Sequence, residues 1–134
     1  MSLLQILPIL AYALCAATLV LVVRQATGPT SARISVISVL ALLFFAFSLW
    51  TVAEDGLIMF WTNHTANLAG NQVWFDLLIA VCVGFYLIAP RARAVGMRLA
   101  PWAVAVGMTA CIALLPMLAR VLWLEQKQRS VNAV

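Results

Sequence analysis

Asp76, Glu54, Asp55 and His64 are the side chains through which this chain could do acid–base chemistry or hold a hard metal ion. Asp76 is the most conspicuous. It stands in "NQVWFDLLIAVCVGFYLIAP", where residues 73–89 are otherwise almost wholly apolar. A carboxylate so close to a hydrophobic span is costly unless it is paired, hydrated or protonated. Glu54, Asp55 and His64 fall in a neighbouring stretch, "EDGLIMFWTNHTANLAGNQ", which also carries Asn67. If these groups converged with Asp76 they would line a polar pocket open to one membrane face, with Arg120 on its rim. An acid–base or ligand-binding site would be the result. The spacing contains no metal-ligand motif, so no metal is expected, and no cofactor is implied.

The elements that would have to position these residues follow from composition. Of 134 residues, 66% are hydrophobic and 9% charged, with a mean hydropathy of +1.08. Soluble domains run at roughly 45–50% apolar and about 25% charged. Such a chain cannot cover its apolar surface in water, so the bilayer is its solvent. A hydrocarbon core of about 30 Å needs roughly 20 apolar residues in a helix. Four segments approach that length: residues 3–23, 34–52, 73–89 and 101–124. Their continuous apolar runs favour helices over the alternating strands of a membrane barrel. The expectation is an all-α integral membrane protein, one domain, a bundle of four transmembrane helices. Its loops are short and Arg-rich on one side and longer, over residues 53–72, on the other.

Charge orients the bundle. "RQATGPTSAR" carries Arg24 and Arg33, "PRARAVGMRLAP" carries Arg91, Arg93 and Arg98, and neither holds an acid. The 53–72 loop holds acids and no Lys or Arg. The positive-inside rule makes the Arg loops cytoplasmic and the acidic loop external. Four spans would then leave both termini outside, in the periplasm of a bacterium whose inner membrane holds the protein. Lys127 and Arg129 in the C-terminal tail count against that placement. Trp50, Trp61, Trp74 and Trp123 would form an outer aromatic belt, with Trp102 at the inner face. The apolar run 57–61 is too short to cross and either lies in the interface or dips back between helices.

In this arrangement Asp76 and Arg120 reach similar depth, Asp76 in the first turn of the third span and Arg120 in the last turn of the fourth. An ion pair between them answers the cost of the buried carboxylate. Asp76, Ala80 and Gly84 recur at four-residue intervals, and Ala80 and Gly84 form a small-xxx-small packing face. Ala110, Ala113, Met117 and Arg120 share a stripe on the fourth span. Cys15, Cys82 and Cys111 are spaced too far apart for a CxxC motif and read as small packed hydrophobes.

The C-terminal half, from His64 to Trp123, resembles a family of small uncharacterised bacterial inner-membrane proteins. The shared pattern is an Asn/Gly loop (Asn67, Gly70), an Asp at a helix start (Asp76) and an Arg-rich turn ending in Gly (Arg91, Arg93, Gly96). A last helix containing Trp102 and a basic residue, Arg120, completes it. The resemblance implies the helical membrane fold and no activity, since that family is a domain of unknown function. The same pattern is distantly similar to small membrane proteins of isoprenoid and carotenoid metabolism.

Absent motifs narrow the function. There is no GxSxG, HExxH, Walker or Gly-rich dinucleotide signature. A single histidine rules out bis-histidine haem within one chain, and no basic tract suits nucleic acid. The residues favour a non-catalytic accessory or assembly subunit, or a binder of a hydrophobic small molecule such as a lipid, quinone or pigment. Membrane lipids and a larger complex or homo-oligomer are the expected partners. The alternatives are a membrane-embedded acid–base enzyme acting on an isoprenoid or lipid, and a small oligomeric transporter.

Overall fold

A computed structural model describes residues 2–24 and 30–132. The Gly-Pro turn read between the first two spans falls within residues 25–29 and lies outside the described residues. The fold is all-α. Its helices are α1 (Leu3–Arg24), α2 (Ser31–Asp55), α3 (Leu57–Thr65), α4 (Leu68–Ala94), α5 (Leu99–Thr109) and α6 (Cys111–Asn132).

Local chemistry sets each boundary. Thr30 caps α2 by accepting from the Arg33 N–H at 3.3 Å, and Asn67 caps α4 by accepting from the Gly70 N–H at 2.8 Å. Gly56, with φ 77°, separates α2 from α3, a conformation that a side chain would strain. α4 closes in a Schellman motif. Gly96 takes φ 79°, its N–H donates to the Arg93 carbonyl at 3.0 Å, and the Met97 N–H donates to the Ala92 carbonyl at 2.9 Å. Met97 then packs beside Ala92 in the core, the apolar contact that accompanies such a cap.

The largest departure from the sequence reading is in the fourth span. Residues 101–124 do not form one helix. The chain turns at Ala110 (φ 50°, ψ −121°), and α5 and α6 form a helical hairpin. The two buried clusters give the directions. Val81 of α4 packs with Val106 of α5 and Ala113 of α6; Ile88 and Ala92 pack with Met117 and Val121. α4 and α6 therefore run parallel, with α5 antiparallel between its neighbours in sequence. At about 1.5 Å per residue, α5 rises only about 16 Å, half of a hydrocarbon core. Periodicity could not reveal this break because both sides of it are equally apolar.

α6 is the hub. It packs against α2, α4 and α5, while α2 and α4 do not touch each other. Met117 and Val121 are fully buried on it, and Ala92 is fully buried on α4. The α2 face on α6 leaves no α2 residue fully buried. The end of α6 lies beside the start of α2, where the Gln126 side-chain amide donates to Ser31 Oγ at 2.9 Å. Ser31, Arg91, Arg93, Arg98 and the 125–129 segment thus share one end of the bundle. α1 contacts none of the other described helices.

Among the described residues two helices, α2 and α4, are long and apolar enough to cross a membrane. Their hydrophobic stretches are 0% and 17% buried. The core helix of a water-soluble protein would be mostly buried, so these apolar surfaces face outward. The aromatic distribution changes with the hairpin: Trp123 moves to the basic end beside Trp102, leaving Trp50, Trp61 and Trp74 at the other. The short run 57–61 forms part of α3, which is exposed along its length apart from half-buried His64 and, among the described residues, contacts α4 and α2. Cys15 and Cys82 are exposed on their helices and Cys111 is half-buried, so two of the three do not pack as the sequence suggests.

Candidate functional site

The acid–base constellation does not assemble. Among the described residues no three His, Cys, Asp or Glu side chains come together as metal ligands would. Glu54 and Asp55 are exposed at the C-terminal end of α2, and neither carboxylate has a hydrogen bond or ion pair among the described residues. His64 is half-buried against Trp74, with ring centroids 5.5 Å apart. Its Nδ1 lies 2.7 Å from the Phe60 carbonyl, to which the Nδ1–H tautomer donates. Asn67 is committed to capping α4, and its carbonyl accepts from the Asn71 side chain at 3.1 Å. The turn that joins α3 to α4 is tight: a side chain at Gly70 would meet the Asn63 and His64 carbonyl oxygens at 3.0 Å.

Asp76 and Arg120 do not form an ion pair. Both are exposed, and neither has a polar partner among the described residues. The reason is the hairpin. Val81 and Ala113 lie at one level; Asp76 is five residues to one side of it and Arg120 seven residues to the other. The two charges are separated by about 18 Å along the helices. Arg120 lies five residues before Glu125, about 7.5 Å of rise, within reach of the basic end for a side chain that snorkels. Of the predicted packing residues, Gly84 does face α6, where an added Cβ would meet Leu114 Cδ2 at 2.9 Å, and Ala80 is exposed.

The ion pair that forms is Arg91 with Glu125. Arg91 Nε donates to Glu125 Oε1 at 2.8 Å and Nη2 to Oε2 at 2.7 Å, a bidentate fork. It ties the last turn of α4 to α6 below the Ile88, Ala92, Met117 and Val121 core. The signal was available in the sequence: Ala113, Met117, Val121 and Glu125 recur at four-residue intervals on one helix face.

A concave feature of the fold lies between α4 and α5. A groove of about 510 Å³ runs from Leu78 to Arg93 along α4, with Ala103, Val106 and Gly107 as its opposite wall. That volume is in the range of small-molecule sites. The wall is hydrocarbon apart from Cys82, the Tyr86 phenol and Arg93 at the basic end. Small residues on α5 create the space, and a side chain built at Gly107 would meet nothing within 4 Å. Pro90 lies in the same wall and has no N–H, so the Tyr86 carbonyl loses its helical donor there. None of the carboxylates lines the groove, and its titratable side chains are the Cys82 thiol, the Tyr86 phenol and Arg93.

No family model, no curated protein and no solved structure matches the chain.

Proposed function

We propose that the chain is a small membrane-embedded protein that binds a hydrophobic small molecule in the α4–α5 groove and has no catalysis of its own. α2 and α4 cross the bilayer in this reading. The α5–α6 hairpin enters from the basic end and returns to it, and α3 lies along the opposite interface with its apolar side chains in the headgroup region. α1 is a further span packed against lipid. The basic end, with Arg33, Arg91, Arg93, Arg98, Lys127 and Arg129, is cytoplasmic by the positive-inside rule. Lys127 and Arg129, which four full spans would place outside, then obey the same rule as the loops. The C-terminus is cytoplasmic and the N-terminus external.

The groove carries the functional reading. It is apolar, of ligand size, and walled by two helices whose glycine and alanine side leaves room that the fold does not fill. An enzyme on a lipid would need a carboxylate or imidazole in that groove, and Asp76, Glu54, Asp55 and His64 are all elsewhere. The accessory-subunit reading has its own observation, which is α1: a helix in contact with no other described helix has faces free for a partner helix or a second copy.

Native mass spectrometry after gentle extraction tests both. Wild type is expected to carry a hydrophobic adduct that Gly107→Leu, whose Cβ would meet nothing within 4 Å, reduces severely. An adduct retained unchanged by Gly107→Leu, or none in wild type, overturns the groove reading. A mass equal to two copies or to a protein complex supports the accessory role.

A further inference from the structure

Resting on the groove reading, a narrower identity follows from its charge. We infer that the occupant is a bilayer phospholipid with a net negative headgroup, its phosphate held at Arg93 and one acyl chain laid along α4 toward Leu78. The two arginines of the last turn of α4 have different fates. Arg91 is neutralised by the bidentate Glu125. Arg93 lines the groove, is exposed, and has no polar partner among the described residues. The following turn adds Arg98 and contains no acid. The groove therefore ends in cationic charge that the fold leaves unmatched, at the level where headgroups lie.

Dimensions agree with one leaflet. From Arg93 to Leu78 is about 22 Å of helix rise, against about 15 Å for half a hydrocarbon core plus the interfacial layer above it. Tyr86 lies about 10 Å deeper than Arg93 on the same wall, at the depth of the acyl chain and not of the headgroup. A quinone or a carotenoid would fill the hydrocarbon wall and leave Arg93 unmatched. Free phosphate would meet Arg93 and leave the wall empty. Only an amphipath with an anion at one end uses both. Basic pockets between membrane helices on the cytoplasmic side are recognised binders of anionic headgroups.

The test uses the full chain in vesicles of equal phosphatidylglycerol and phosphatidylcholine with identical acyl chains. The lipid retained after extraction is read by native mass spectrometry. Wild type is expected to retain phosphatidylglycerol over phosphatidylcholine by about fivefold, the factor one basic side chain contributes at an anionic surface. Arg93→Gln should abolish that preference, while Arg129→Gln, an equal loss of charge at the same end, should leave it. Gly107→Leu should lose both lipids. Equal retention of the two classes, or a preference that Arg93→Gln leaves unchanged, overturns the headgroup assignment while the groove stands. A preference lost equally in Arg129→Gln would make it a property of general surface charge and also overturn it. No lipid in wild type overturns the groove itself.

Discussion

The acids at the two ends of the bundle are of one chemistry and meet different fates. Glu125 at the basic end is held by both fork nitrogens of Arg91 and locks two helices together. Glu54, Asp55 and Asp76 toward the other end are exposed and partnered by nothing among the described residues. The difference is one of packing direction. At the basic end α4 and α6 run parallel and in contact, so side chains one turn past the core meet. At the acidic end α6 has already turned back at Ala110, and no described residue supplies Asp76 with a cation. Charge is organised where helices converge and dispersed where the bundle opens.

The largest consequence of this asymmetry is topological and all-or-none. With the native cysteines replaced by serine, single cysteines at Arg98→Cys and Arg129→Cys should react with an impermeant maleimide from the same side of the membrane. Asp55→Cys should react from the other. Labelling of the 129 position together with the 55 position would restore a full fourth span and unmake the hairpin.

The next effect is smaller and concerns the clamp. Glu125→Gln should lower the unfolding free energy in detergent by about 1 kcal/mol or less, since Arg91 is substantially exposed and solvent screens the pair. Arg91→Gln should cost a similar amount. The double variant should cost less than the sum, and the coupling should shrink with added salt. Additive losses would mean that the two side chains do not act on each other, and the contrast between the ends would lose its basis.

Much of the fold is written in the sequence, and the misreadings share a cause. Hydropathy finds the apolar helices because length and composition are enough for that. It cannot find the turn at Ala110, where no proline, charge or glycine interrupts "MTACIALL" and the chain bends on an alanine in an unusual conformation. That unseen turn reverses α6, and both errors of pairing follow from it: Arg120 set opposite Asp76, and Trp123 assigned to one belt with Trp50, Trp61 and Trp74. Gly84 and the 113–117 stripe were legible because helix packing depends on spacing alone. Glu125 continues that stripe, but was hidden by a polar tail that reads as solvent-exposed. The groove is not legible at all, since it depends on which faces of α4 and α5 meet.

The smallest expected effect is at the residue the sequence makes most conspicuous. Asp76→Asn should leave stability within about 0.5 kcal/mol of wild type, the range of a surface substitution that breaks no contact. It should also leave the bound hydrophobe in place, because Leu78 marks the deep end of the groove and Asp76 is not part of its lining. The physical reason is that an exposed carboxylate between two and three turns past the Asn67 cap can be hydrated from the nearby interface, so it needs no cation to offset burial. Thermal unfolding and native mass spectrometry of the same preparation read the two quantities together. A large loss of either would mean that Asp76 has a partner in the membrane, from α1 or a second copy, and that the acidic end becomes organised only in the assembly.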